Sequence, residues 1–331
     1  MKKQIVVITG ASAGVGRATV RRFARAGADI GLIARGEAGL EAARGEVEAA
    51  GGRALVLPLD VSDAAAVDAA AEHVERELGP IDVWVNDAMT TVFAEFKDIT
   101  AEEFQCVTDV CYLGFVNGTR AALKRMLPRD RGTIVQVGSA LAYRAIPLQS
   151  AYCGAKHAIR GFTDAVRCEL LHDKSRVWIT MVQMPALNTP QFDWCENKMP
   201  HHSQPVPPIY DPSVAAEGVF FAAHHRRREL YVGASTAVVI NGNKLLPGVG
   251  DWYLGKTGFQ SQQYDGPPAR GGANLWQPAD RDRDHGAEGS FSKRAHSHSV
   301  ELWASMHKRG LALAGLGASA ALIVLAVRGL R

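Results

Sequence analysis

Four consecutive apolar residues, Ile5 to Ile8, run into Thr9 and Gly10, and by Val15 the pattern has become helical. The stretch between them reads TGASAGVG, with glycines at 10, 14 and 16. An apolar strand that stops on glycine and restarts almost at once as a helix commits the chain to a strand-turn-helix unit. The first N–H groups of such a helix have no partner inside it, and its dipole makes that end positive. A strand followed by a crossover helix belongs in a parallel sheet, because a parallel neighbour cannot be reached by a tight hairpin.

The same alternation continues for two thirds of the chain. Apolar runs rich in Val, Ile and Leu predict strands at 4–9, 29–34, 53–59, 81–86, 132–137, 176–182 and 229–232. They are nearly continuous rather than alternating, which is how strands covered on both faces read. Helical patterns fall between them at 15–26, 38–50, 64–78, 101–127, 151–171 and 214–223. The expected fold is therefore α/β, a doubly wound, Rossmann-like parallel sheet of seven strands with helices on both faces, over residues 1–240.

Beyond that the character changes. Residues 241–300 hold ten glycines and four prolines with little periodicity, and read as a loosely ordered extension. In the last segment, 301–331, residues 311–327 carry no charge, with Lys308 and Arg309 before them and Arg328 after. As a helix these 17 residues would rise about 25 Å, the short limit for crossing a bilayer. They predict a membrane anchor, with a buried or oligomer-forming helix as the alternative. The start of the chain does not read as a signal peptide, since its apolar run ends at a glycine turn.

Composition excludes some partners. A net charge of +3 and the absence of a basic, aromatic-interleaved run argue against nucleic acid. Five cysteines with no CxxC pair fit a reducing compartment rather than a disulfide framework. The short His runs at 201–202 and 296–298 lack Cys or carboxylate partners at ligand spacing, so no metal is expected.

The chemistry gathers at strand ends. Thr9, Gly10, Ser12, Ala13, Gly14, Val15 and Gly16 form a loop whose glycines let backbone approach a pyrophosphate at the helix N-terminus. Asp60 and Val61 follow the third strand, and Asn86 and Ala88 the fourth, where doubly wound sheets bind ligands. The second strand ends Ile33-Ala34-Arg35, without the acid that meets a ribose 2′-OH in NAD sites. A guanidinium can grip a 2′-phosphate instead, so Arg35, helped by Arg17, predicts NADP(H). Tyr152 and Lys156 are four apart in a helical pattern and share a face. An ammonium there, with the charge of an oxidised nicotinamide, should lower the phenol's pKa toward working pH, making Tyr152 an acid/base. Ser139 ends the fifth strand, where its hydroxyl can hold a substrate oxygen.

Taken together, TGASAGVG, LDV (59–61), NDAM (86–89), GS (138–139), YCGAK (152–156) and MPALNT (184–189) resemble the short-chain dehydrogenase/reductase family, in its branch of roughly 250-residue subunits. The resemblance covers about residues 3–233. It implies catalysis by Ser139, Tyr152 and Lys156, a contact from Lys156 to the nicotinamide ribose, and cofactor contacts from Pro185 and Thr189. It also implies a homodimer or homotetramer built on the long helices 101–127 and 151–171. Three departures stand out. Cys111 occupies the position of the usual Asn of a proton relay, NDAM replaces NNAG so that Asp87 and Met89 are new, and Pro185-Ala186 replaces Pro-Gly. The expected activity is interconversion of a carbonyl and a secondary alcohol, with the catalytic domain facing the cytoplasm. The alternatives are a catalytically silent NADP(H) sensor or scaffold, and an epimerase or dehydratase. A lid at 191–211, carrying Phe192, Trp194, Met199, Ile209 and Tyr210, predicts an apolar small-molecule substrate.

Overall fold

The computed structural model describes residues 3–266 and 273–308. Seven strands form one parallel sheet: β1 Ile5–Thr9, β2 Asp29–Ala34, β3 Ala54–Pro58, β4 Val83–Asn86, β5 Thr133–Val137, β6 Trp178–Gln183 and β7 Glu229–Tyr231. Their spatial order is β3-β2-β1-β4-β5-β6-β7. The order reverses between β1 and β4, and a crevice opens at the carboxyl ends of strands at such a switch point. Register is tight there: Ile5 pairs with Asp29 through to Thr9 with Ile33, while Val6 to Ile8 pair with Val83 to Val85.

The helices are α1 Gly14–Arg25, α2 Glu37–Ala49, α3 Ala64–Glu77, α4 Ala101–Thr108, α5 Gly114–Met126, α6 Ser150–His172 and α7 Pro212–His224. The period of two sorts β1 between two cores. Val6 and Ile8 pack with Phe23, Leu40 and Val219 from α1, α2 and α7. Ile5 and Val7 pack with Val74, Ala121 and Leu170 from α3, α5 and α6. Burial on both faces explains the continuous apolar strands.

Three features differ from the sequence reading. The span 101–127 is not one α-helix, because a π turn, Asp109–Leu113, separates α4 from α5. Such turns widen the helix by one residue and recur at functional sites. The stretch read as loosely ordered carries two helices, α8 Ala234–Leu245 and α9 Pro247–Ser261, the second opened by a proline at its first turn. From residue 273 the chain returns along the strand ends as a strap that leads into α10, Val300–Met306. Leu275 and Ala287 of the strap are fully buried. Within the lid, Ile209 and Tyr210 are core residues, paired between Ala186–Leu187 and Ala295–His296, and do not line a pocket. The apolar run 311–327 lies outside the described residues. Among the described residues no helix is long and apolar enough to cross a membrane.

Candidate active site

A cavity of about 750 Å³ runs along the carboxyl ends of the strands, from the glycine-rich loop to the start of α6. Fourteen of the eighteen residues predicted to act in catalysis or to touch the cofactor line it. At one end are Gly10, Ser12, Ala13, Gly14, Val15, Arg35, Asp60, Val61 and Ala88. At the other are Ser139, Tyr152, Lys156, Pro185 and Thr189. Gly10 and Gly14 have φ of +71° and +57°, which an L side chain rarely adopts. A Cβ on Gly16 would overlap the Gly10 carbonyl oxygen. The loop thus has the shape of a backbone cradle for a pyrophosphate.

Four predicted residues stand outside the cavity wall. Thr9 supports it, its hydroxyl accepting from the N–H groups of Asp87 and Ala88 at 3.0 and 3.2 Å. Gly16 acts through its close packing. Asn86 is turned into the core: it accepts from Trp84 Nε1 at 2.8 Å and donates to Gln136 Oε1 at 2.8 Å and Thr119 Oγ1 at 3.2 Å. Its side chain satisfies buried polar groups between α5 and the sheet. Cys111 sits in the π turn, fully buried, where its thiol donates to Thr90 O at 3.0 Å and accepts from Thr90 N at 3.3 Å. Burial pushes that thiol up to about 11, so it stays protonated.

The reactive end is built from three elements. β5 ends at Gly138-Ser139, and Gln183 Oε1 from β6 accepts from Ser139 N at 2.8 Å. A Cβ on Gly138 would overlap that same amide oxygen. Ser139 Oγ accepts from Leu141 N at 3.1 Å, which leaves its own proton to donate. The Tyr152 hydroxyl faces the Ser139 side chain across the cavity wall that both line. One turn along α6, Lys156 is buried with Nζ 5.4 Å from the Tyr152 ring centre and 4.7 Å from that of Phe115. It donates to Val137 O at 2.8 Å.

The electrostatics depart from expectation. In the protein alone, burial raises the Tyr152 phenol above its ordinary range, and the Ser139 hydroxyl pulls only weakly the other way. Tyr152 is therefore protonated at neutral pH, the form an acid catalyst needs. Burial lowers Lys156, opposed by Cys111 and Asp87. Asp87, singled out in the sequence only as a substitution, proves to be a half-buried residue of the cavity wall. Burial pushes its carboxyl up to about 8, against the pull of Lys156 and of the Gly16 N–H.

Arg35 and Arg17 have other partners than expected. Arg35 donates to the carbonyls of Leu275 and Asn274 at 3.0 and 2.6 Å, and stands 3.9 Å from Asp60. Arg17 is 1% exposed and is tied to Glu46 at 2.8 Å and Asp284 at 3.2 Å. No periodic signal could have revealed the strap residues that hold them. The apolar wall was only partly legible. Phe192 and Trp194 line the cavity as expected, Met199 does not, and Leu246, Val249, Tyr253 and Leu254 of the C-terminal helices complete it.

Comparison with known proteins agrees with this geometry. Residues 4–198 match the profile of the family described as short chain dehydrogenase. The chain is 33% identical over 271 residues to the uncharacterized oxidoreductase YxnA of Bacillus subtilis, covering 81% of this chain and 76% of that one. It is 41% identical over 186 residues to the probable oxidoreductase EphD of Mycobacterium tuberculosis, covering 56% of this chain but only 31% of that longer one. Among solved structures, a short chain dehydrogenase/reductase from Burkholderia phymatum in complex with NAD aligns with a TM-score of 0.69. That alignment is at 20% identity and covers 75% of this chain and 95% of the other. A catalytic-end serine, tyrosine and lysine joined by one cleft to a glycine-rich cradle thus coincide with a match over more than half the sequence, and the chain belongs to the short-chain dehydrogenase/reductase family of oxidoreductases.

Proposed function

We propose that this chain interconverts a carbonyl and a secondary alcohol on an apolar small molecule, using a nicotinamide adenine dinucleotide held in the cleft. The observation that carries the reading is the continuity of that cleft, from the glycine cradle to Ser139, Tyr152 and Lys156. When bound, the dinucleotide would supply or take up a hydride. The residues fit it: Gly10 to Val15 would meet the pyrophosphate, Asp60, Val61 and Ala88 the adenosine side, and Pro185 and Thr189 the nicotinamide side.

The remaining chemistry falls to the chain. Ser139 Oγ, one of its lone pairs taken by Leu141 N–H, donates its proton to the substrate oxygen. Tyr152 delivers a proton to that oxygen in reduction and takes one in oxidation. The ammonium of Lys156 stabilises negative charge on Tyr152 as its proton leaves. Cys111 cannot copy a relay asparagine, because its thiol is spent on Thr90 and a thiol is a weak donor.

The wall of Leu141, Ile146, Phe192, Leu246, Val249 and Tyr253 favours an apolar substrate. Each buried methylene contributes about 0.8 kcal/mol, or about fourfold in binding. Turnover with a ladder of aliphatic ketones, read by nucleotide absorbance, is therefore expected to show KM falling with each added carbon. A KM indifferent to chain length would contradict an apolar pocket. A nucleotide that binds without turnover across the ladder would favour a sensor or scaffold.

A further inference from the structure

The geometry points to Asp280, far from β2 in sequence, as the residue that reads the adenosine ribose, and so to NAD(H) rather than NADP(H). This rests on the reading that the cleft holds a nicotinamide adenine dinucleotide. In many such sites an acid at the end of the second strand accepts from the ribose 2′-OH. Here β2 ends in Ala34, followed by Arg35 and Gly36. A carboxylate is nevertheless present at that spot, carried in by the strap.

Several contacts fix the strap over the turn between β2 and α2. The first turn of α2 donates to it, Ala38 N to Arg281 O at 3.2 Å and Gly39 N to Asp280 O at 3.4 Å. Gly14 N donates to Gly286 O at 3.1 Å and Arg17 to Asp284 Oδ1 at 3.2 Å. Asp280 is 4% exposed and forms part of the cavity wall beside Ser12 and Arg35. Its carboxylate lies so close over Gly36 that a Cβ there would overlap it. A Cβ on Gly39 would lie 2.7 Å from Oδ2. Among the described residues Oδ2 has no hydrogen-bond partner. A buried acceptor without a donor is costly, and a ligand hydroxyl would satisfy it.

The same arrangement opposes a 2′-phosphate. The groups that would bind one are occupied: Arg35 by two strap carbonyls, Arg17 by Glu46 and Asp284, and the α2 N–H groups by the strap backbone. A phosphate would add negative charge next to a buried carboxylate, where repulsion is poorly screened.

Isothermal calorimetry on the full-length protein tests this without turnover. Wild type is expected to bind NAD⁺ more tightly than NADP⁺. Asp280→Asn and Asp280→Ala should each weaken NAD⁺ by about 10- to 100-fold, the worth of a charge-assisted hydrogen bond. Both should move the NADP⁺-to-NAD⁺ ratio toward NADP⁺, and circular dichroism should show both variants folded. A wild-type preference for NADP⁺ that Arg35→Ala abolishes and Asp280→Asn leaves intact would overturn the assignment and make Arg35 the reader. Failure of wild type to bind either dinucleotide would overturn the reading of the cleft itself, and this assignment with it.

Discussion

Replacing Tyr152 with phenylalanine should lower turnover by about 10²- to 10⁴-fold, the usual worth of a positioned acid/base. Nucleotide binding should survive. The substitution removes one oxygen and one proton and keeps the ring on α6, where it sits 5.4 Å from Lys156 Nζ. Ser139 keeps its contacts with Gln183 and Leu141, so the substrate oxygen still finds one donor. What is lost is the group that exchanges a proton with it. The loss should appear in kcat more than in KM, because the interaction strengthens as charge develops on the oxygen. Comparing steady-state rates with nucleotide Kd separates the two. A variant that keeps most of its rate would remove Tyr152 from the mechanism.

The second large effect concerns the cradle. Gly16 packs so closely on the Gly10 carbonyl that even a methyl group would overlap it, with Asp87 Oδ2 another 3.0 Å away. The nearer of the two is backbone. Gly10 itself lies 3.0 Å, measured from an added Cβ, from the Ala88 backbone. Gly16→Ala must therefore push α1 off the sheet or distort the loop. Overpacking of this kind costs about 1–3 kcal/mol, and more where backbone is the obstacle. In a domain of this size that is a fall of about 2–12 °C in Tm. Dinucleotide affinity should fall at the same time, since the loop that moves is the loop that binds. Thermal unfolding and calorimetry on one preparation would show both; a variant with unchanged Tm and affinity would contradict the packing described.

The sequence revealed the sheet well because its evidence is periodic. All seven strands fall within two residues of the expected bounds, since strands covered on both faces stay apolar throughout. Ser139, Tyr152 and Lys156 were legible because strand end and i,i+4 spacing bring them together without tertiary information. Other features depend on contacts that no local pattern encodes. The π turn at Asp109–Leu113 inserts without interrupting the apolar face of 101–127. Arg17 read as a helper of Arg35 toward a 2′-phosphate, yet it pairs with Glu46 and Asp284 in the interior. Ile209 and Tyr210 fall in the span 191–211 read as a lid, but strand pairing on both sides draws them into the core. The strap is ordered by single hydrogen bonds to residues some 240 positions earlier, such as Arg35 with Leu275, and glycine-rich composition hides that.

The central claim is that the cleft passes hydride to a carbonyl carbon while Tyr152 protonates its oxygen. Reduced dinucleotide carrying deuterium at C4 of the nicotinamide ring, incubated with the full-length protein and an aliphatic ketone, tests it most directly by mass spectrometry of the alcohol. The account predicts one deuterium on the carbinol carbon, and none above background in the Tyr152→Phe protein over the same interval. Dinucleotide that binds while no labelled alcohol forms from any ketone, or label that appears equally with Tyr152→Phe, would contradict it.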